Sequence, residues 1–254
     1  MIFKLLILFF SFFSFVYSQQ ESGQEYRRSA IHNGNLVKTV FGNWGVVGQP
    51  AYEGPRGAWI NENNGYVGDV SLLVGAEVTA PNSDGDTITF HSVVVCPVDR
   101  PVLGGMEQSL SGSPWGFEPV AGYMNENQES IAMSTNPSSW PSSWPDKSSD
   151  WNGQWNGFFG QDVQNIQQES FYVMNDNNDQ EFNFSQNNQW GVEFKPDIDN
   201  PMLNGLGLEV KVRGMQWGQF LAQDCIFWLY EITNTSTTDY NKVVFGELVG
   251  TYVG

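Results

Sequence analysis

Glycine and proline interrupt this sequence at short intervals, and this feature constrains the fold most. The 254 residues include 27 glycines and 12 prolines. In a helix interior, glycine costs about 1 kcal/mol and proline about 3 kcal/mol relative to alanine. Long runs of good helix formers without either residue are nearly absent. Helix is therefore expected to be a minor element.

Apolar periodicity predicts strands in the last third of the chain. Residues 206–213 alternate between apolar and charged side chains, which is typical of a strand with one wet face, and Gly214 is expected to end it. Residues 225–232 are apolar on both alternating sets and predict a central strand covered on both faces. A polar turn separates them from a strand-like run at 242–249, and the two runs predict a hairpin.

Strand signals also occur earlier in the chain. The segments 67–79 and 87–98 are rich in β-branched and apolar residues, and the Asx and glycine residues between them suit a tight turn, so they predict an antiparallel pair. Shorter candidates lie at 36–41, 171–174 and 190–195. The number of short strands with turn signals between them predicts an all-β fold, an antiparallel β-sandwich.

The middle of the sequence has a different composition. Residues 104–165 are rich in Trp, Ser, Asn, Pro and Gly, contain few aliphatic residues and show no sustained period. This composition predicts a long irregular insertion that packs onto the sandwich through its aromatic side chains. The strands of residues 19–103 and 166–254 would then form the sandwich itself.

The first 18 residues have the layout of a secretory signal peptide. Lys4 precedes an apolar run over 5–16, and small residues end at Ser18, where cleavage is expected. The alternative is an uncleaved anchor, but the run is shorter than the roughly 20 residues that a spanning helix needs. We expect a secreted protein, extracellular or at the cell surface, with no membrane span after cleavage.

The charge balance excludes one class of partner. Lys and Arg number 11 against 28 Asp and Glu, for a formal charge of −17. No basic stripe is present to neutralise phosphates, so nucleic acid is excluded as a partner, and anionic membrane surfaces are disfavoured.

The two cysteines, Cys96 and Cys225, both lie in apolar strand-like runs. Export would permit a disulfide between them, and closing so long a loop would stabilise the fold by about 4–5 kcal/mol. The alternative, which we favour slightly, is that each is a free, buried thiol that acts as a small hydrophobic side chain.

Several stretches together resemble a known group of proteins. They are Ile31-His32-Asn33-Gly34-Asn35, residues 65–78, Ser139-Trp140-Pro141, residues 172–176, residues 205–210 and residues 239–246. Their order and spacing resemble the N-terminal region of long, uncharacterised secreted proteins of Bacteroidetes-, Ignavibacteria- and Marinimicrobia-like bacteria. The resemblance implies further β domains beyond this sequence, often with a type IX secretion sorting domain, and a truncated chain here. It implies no activity.

Four tryptophans, Trp140, Trp144, Trp151 and Trp155, crowd into one short polar segment. Tryptophan faces stack on sugar rings, and Asn, Gln and Asp side chains bind hydroxyl groups, so the composition suits a carbohydrate-binding platform. The alternative, which we favour, is that these side chains fix a long loop to the sheet. Each would then bury about 150–250 Å².

Acidic and amide side chains cluster at 84–86, 175–181 and 197–200. Calcium takes about six to eight oxygen ligands, and Asp176, Asn178 and Asp179 are the best candidates for a structural calcium site. Solvated turns with Asx hydrogen bonds are the favoured alternative. No other cofactor is expected.

Motifs of catalysis are scarce. The only histidines are His32 and His91, and the zinc-protease, hydrolase-elbow and phosphate-loop motifs do not occur. The paired carboxylates of a glycosidase need only be close in space, so the sequence leaves that class open. We therefore favour an exported, non-enzymatic module of a larger surface or extracellular protein, with a scaffold or adhesion role. The alternative is a glycan-binding module or glycoside-active enzyme that uses residues 140–155, with polysaccharide or other cell-surface components as partners.

Overall fold

The structure, a computed structural model, describes most of the chain after the expected signal peptide. The described residues are 23–60, 63–82, 84–96, 116–161, 163, 165–180, 192 and 194–252. Two antiparallel sheets pack against each other, which confirms the predicted all-β sandwich. Helical structure within these ranges consists of single 3₁₀ turns at Gln24–Tyr26, Pro137–Ser139 and Ser149–Trp151.

The first sheet combines the early strands with the last one described. Its strands are β1 (Ser29–His32), β2 (Val37–Gly42), β3 (Val46–Val47), β4 (Ala58–Trp59), β5 (Val67–Pro81), β6 (Thr87–Val95) and β12 (Val243–Thr251). Their order is β1-β2-β3-β5-β12, with β4 paired to β2 and β6 paired to β5. The long strand β5 thus joins β12 to the rest of the sheet.

The second sheet comes from the middle and later parts of the chain. Its strands are β7 (Glu118–Pro119), β8 (Ala132–Met133), β9 (Gln168–Asn175), β10 (Leu208–Gln216) and β11 (Phe227–Asn234). Their order is β11-β10-β9-β7, with β8 paired to β9. The predicted irregular insertion therefore supplies two short strands, which lack the length to produce a visible period.

The predicted β5–β6 hairpin is confirmed, and its turn chemistry explains it. The Asn82 side-chain oxygen accepts hydrogen bonds from the backbone N–H groups of Asp84 and Asp86, at 3.0 and 2.8 Å. Gly85 adopts a φ of +85°, which favours glycine. The local sequence is thus sufficient to specify this turn.

Strand β10 shows the predicted alternation but not the predicted end. Val210 and Val212 are fully buried between the sheets. The strand continues through Gly214 to Gln216. A Cβ atom at Gly214 would lie 2.7 Å from the Ser170 hydroxyl oxygen, so this glycine permits close packing and does not terminate the strand.

Two predictions about the end of the chain are wrong. Strand β11 is an edge strand, not a central one, and Phe227 and Leu229 on its outer face are exposed. Strands β11 and β12 do not form a hairpin, because β11 pairs with β10 and β12 pairs with β5 in the other sheet. Sheet assignment depends on contacts remote in sequence, which local periodicity does not encode.

Within the described residues neither cysteine forms a disulfide, and the two differ in environment. Cys96 is fully buried and its thiol donates to the Gly45 carbonyl at 3.3 Å, as expected for a small core side chain. Cys225 is exposed just before β11, contrary to the expectation that both are buried.

Some predictions concern residues outside the described ranges. The signal peptide over 1–18 and the start of the insertion at 104–115 lie there. Of the short strand expected at 190–195, an isolated bridge between Val192 and Asn82 is seen. In the part of the chain that the structure describes, no helix has the length and apolarity to cross a bilayer.

Candidate functional site

The tryptophan-rich segment covers the outer face of the second sheet. Trp144 and Trp155 are buried, and Trp140 and Trp151 are half-buried. The segment forms a second hydrophobic cluster with Phe171 and Val173 of β9. The interpretation of these aromatics as side chains that attach a long loop to the sheet is confirmed.

The indole N–H groups of three of the four tryptophans are bonded within the protein. Trp140 donates to the Met133 carbonyl at 2.7 Å, and Trp144 donates to the Gln154 carbonyl at 2.9 Å. Trp155 donates to the Glu169 carboxylate at 2.8 Å. Buried indoles require such partners, so these bonds fix the orientation of each ring.

A buried ion pair anchors the same segment to β9 and β10. Arg213 donates to the Glu169 carboxylate at 2.7 Å and to the Asn156 carbonyl at 2.6 Å, and its guanidinium lies 4.1 Å from the centre of the Phe171 ring. Glu169 also accepts from the Phe158 backbone N–H at 3.1 Å. This carboxylate therefore connects the insertion to both strands.

Two of the four predicted ligand-binding tryptophans line a cleft. Trp140 and Trp155 border a cavity of 350 Å³, together with Ser134, Thr135, Val163, Ile166, Gln167 and Glu169. The ring centres of Trp140 and Trp155 are 5.6 Å apart. Trp144 packs edge-on against Trp155 beneath the surface, and Trp151 stacks with Lys147 instead.

A second cleft, of 630 Å³, lies beside β1 and was not predicted. It is lined by Arg27, Trp44, Tyr52 and Glu53, among others. Its charged groups are engaged within the protein: Arg27 binds the buried Glu118 carboxylate through two N–H groups, and Ser29 bonds to Glu53. The contact of Arg27 with Glu118 holds the residues before β1 against β7.

The predicted calcium ligands are buried, and two of them support backbone loops. The Asp176 carboxylate accepts from the N–H groups of Leu206 and Leu208, at 2.7 and 2.8 Å. Burial raises the pKa of Asp176 well above its usual value, and these two bonds oppose that rise. Gly205, at a φ of +61°, lets the loop close around the carboxylate.

Asp179 acts in a similar way, because one of its carboxylate oxygens accepts from the Gly116 N–H at 3.0 Å. Asn178 is buried, and its side-chain N–H₂ group has no hydrogen-bond partner among the described residues. Among the described residues, no group of three His, Cys, Asp or Glu side chains is placed to hold a metal ion. Calcium binding at Asp176, Asn178 and Asp179 stays a prediction.

Sequence reasoning missed a polar network between the sheets. The His32 Nδ1–H donates to the Gln216 side-chain oxygen at 3.2 Å, since that amide oxygen only accepts, and the Ser170 hydroxyl donates to Nε2 at 2.9 Å. The same Gln216 oxygen accepts from the Gly34 N–H at 2.8 Å. Burial lowers the pKa of His32 to about 4, and its bonds to glutamine oppose the shift.

This serine–histidine pair has a structural role. His32 and Ser170 are both fully buried, so no substrate reaches the hydroxyl group. The Gly214 N–H also donates to the Ser170 oxygen, at 3.1 Å. The network joins β1 to β9 and β10, and the polar run Asn33-Gly34-Asn35 after His32 was its only signal in the sequence.

The outstanding exposed surface is strand β12. Its residues Val243, Phe245, Glu247 and Val249 pair with Ala76, Val74, Leu72 and Val70 of β5, and so share their face of the sheet. Those β5 residues contribute to the core, yet Val243, Phe245 and Val249 are 58%, 56% and 60% exposed. The second sheet therefore does not cover β12. We call these four β12 residues the open strip.

The opposite face of β12 is also apolar and exposed, at Val244 and Leu248. Among the described strands, β12 pairs with β5 alone, so its other edge is unpaired. The Tyr230 hydroxyl, on edge strand β11, is buried and has no hydrogen-bond partner in the described structure. Burial raises the pKa of Tyr230, and Cys96 and the Glu247 carboxylate add to the rise.

No protein-family model, characterised protein or solved structure matches this chain.

Proposed function

We propose that this chain is an exported, non-enzymatic β-sandwich module of a larger surface or extracellular protein, with a scaffold or adhesion role. The observation that carries the proposal is the exposed apolar surface of β12. Soluble monomers rarely expose contiguous apolar patches larger than a few hundred Å², and larger ones mark interaction sites. The signal-peptide pattern of residues 1–18 supports export.

The arrangement of the polar side chains supports a non-enzymatic role. Glu118, Glu169 and Asp176 are nearly fully buried, and each carboxylate is bonded to an arginine or to backbone N–H groups of the fold. His32 is fully buried between the sheets. A general acid or base must reach a substrate proton, and Glu118, Asp176 and His32 face only the protein. Glu169 borders the cleft of Trp140 and Trp155, but its carboxylate is bonded to Arg213, the Trp155 indole and the Phe158 backbone.

Adhesion of coated beads tests the proposal. Beads that carry the full chain should adhere to cells or extracellular matrix of the source organism. A variant with Phe245→Lys and Val249→Lys should lose adhesion, because it places two charges among the apolar side chains of the open strip. The matched control, Ile198→Lys with Leu221→Lys, adds the same charge at loop residues that are 87% and 90% exposed. Equal adhesion by both variants, or none by the wild type, would contradict the proposal.

Location is a separate test of the same proposal. Fractionation of source cells with an antibody to the chain should recover it outside the cell or at the surface. Intact-mass analysis of that material should show loss of residues 1–18. Recovery from the cell interior would contradict export, whatever the adhesion assay shows.

A second candidate function is glycan binding at the cleft of Trp140 and Trp155. The observation that favours it is that both rings border one cavity with the polar side chains of Ser134 and Gln167. A polysaccharide pull-down should then detect binding that Trp140→Ala removes and Trp151→Ala, outside the cleft, retains. Loss in both variants or in neither would argue against this cleft. Release of reducing sugar would identify an enzyme.

A further inference from the structure

We propose that the edge of β12 that is unpaired among the described strands binds an extended strand of a second, different polypeptide, one with alternating apolar residues and a central Lys or Arg opposite Glu247. This inference rests on the proposed scaffold or adhesion function, and it specifies the partner. Binding of this kind adds a strand to an existing sheet.

The backbone of β12 provides the first argument. The strand is nine residues long and pairs on one side with β5 over nearly its whole length. Its other edge presents a row of N–H and C=O groups that a further strand can satisfy. Natural edge strands are commonly protected by proline, lysine or a bulge. Strand β12 contains no proline or lysine, and its register shifts only at Gly250/Thr251, next to its end.

The side chains of the open strip define the partner's chemistry. Val243, Phe245 and Val249 are exposed apolar groups on one face, and Glu247 is the only charged residue of β12. Cross-strand pairs of like polarity and opposite charge stabilise a sheet. A complementary strand therefore carries apolar side chains on the same face, interrupted by one cation beside Glu247.

Glu247 also distinguishes a different polypeptide from a second copy of this chain. Any antiparallel self-pairing that overlaps most of β12 places the two Glu247 side chains directly opposite or within a few residues of each other. Like charges at such positions are destabilising. Each chain also carries a formal charge of −17, which adds long-range repulsion. A cationic strand removes both penalties.

A charge-swap experiment tests the inference with defined peptides. The first peptide has nine residues, matching β12, with valine at odd positions, threonine at even positions and a central lysine. The second has a central glutamate. Fluorescence anisotropy should show that the full chain prefers the lysine peptide by roughly fivefold, and that Glu247→Lys reverses this preference. Ile198→Lys, a charge change at a remote exposed residue, should leave the preference unchanged.

The outcomes that overturn the inference are distinct. Binding of neither peptide, or a preference that Glu247→Lys does not change, would exclude strand capture at this edge. A concentration-dependent doubling of mass in sedimentation, abolished by Phe245→Lys, would identify a second copy as the occupant and overturn the inference while leaving a scaffold role intact. Recovery of the native protein inside cells would instead contradict the proposed function without affecting peptide binding.

Discussion

Two phenylalanines on strands show how differently this sandwich treats its two apolar surfaces. Phe171, on the outer face of β9, is 1% exposed, because the tryptophan-rich segment and Arg213 cover it. Phe245, on the core-side face of β12, is 56% exposed. The face that would ordinarily meet solvent is covered, and part of the face that would ordinarily form core is open.

The two surfaces differ in whether a buried polar side chain holds a covering segment over them. Over Phe171, the Glu169 carboxylate binds Arg213, the Trp155 indole and the Phe158 backbone, which holds the covering segment in place. On β12, Glu247 lies two residues from Phe245 on the same face of the strand, and it is exposed. The segment whose composition is most typical of a binding platform thus packs largely against the second sheet, whereas β12, a strand of ordinary composition, exposes apolar side chains.

Removal of the Glu169 carboxylate should cause the largest loss of folding stability, because this carboxylate holds the segment that covers Phe171. Glu169→Ala leaves the buried Arg213 guanidinium without its counter-charge and removes the acceptor of two N–H groups. Breaking a buried ion pair in this way costs about 3–5 kcal/mol. Urea unfolding followed by tryptophan fluorescence should show a loss of that size.

The matched control is Glu247→Ala on the open strip. Glu247 is exposed, so its removal should change the free energy of unfolding by less than about 0.5 kcal/mol. Similar losses in the two variants would mean that burial does not distinguish these carboxylates. In that case the contrast between the two surfaces would fail.

Acid should destabilise the folded protein through the buried network of His32, Ser170 and Gln216. His32 has a pKa of about 4 in the folded protein, below its ordinary value of 6.5. A lowered folded pKa means that the unfolded chain binds the proton more readily, so stability is present above pH 6.5 and is lost as pH falls towards 4. Between pH 7 and pH 5 the loss from this group is about 2 kcal/mol.

Denaturant unfolding at pH 7 and pH 5 measures this loss, and His32→Gln isolates it. Asp176 acts in the opposite direction, because its raised pKa makes the folded protein gain stability as pH falls. The comparison must therefore be made between wild type and variant at both pH values. Equal pH dependence in the two proteins would show that His32 does not remain neutral in the folded state.

The local parts of this fold were predictable from sequence, and the long-range parts were not. The β5–β6 turn follows from Asn82 and Gly85, and the face of β10 follows from its alternating residues. Strand β11 pairs with β10, the strand before it in the chain, whereas β12 pairs with β5, whose residues lie 167 to 184 positions earlier. The assignment of β11 and β12 to different sheets therefore depends on a contact that is remote in sequence. Local patterns specify that a strand forms, whereas its neighbours specify the sheet.

The candidate functional surfaces were likewise predictable only where local sequence determines them. The composition of residues 140–155 predicted both the attachment of the loop and the ligand hypothesis, and two of its four tryptophans do border a cleft. The exposure of Val243, Phe245 and Val249 was not predictable, because their pattern is that of a buried strand face. Whether a second layer covers such a face is a property of the whole sandwich.

The smallest expected effect is that of truncating Phe245, and it tests most directly whether the open strip is exposed in solution. Phe245→Ala should change the free energy of unfolding by less than about 0.5 kcal/mol, whereas Phe171→Ala should cost about 3–5 kcal/mol, although both residues lie on strands. The difference arises because truncation of Phe171 leaves a cavity under Trp144 and Arg213, while Phe245 already contacts solvent. Thermal or urea unfolding of the two variants measures it. A cost above about 2 kcal/mol for Phe245→Ala would show that β12 is covered in solution, and the open strip would then not be available to a partner.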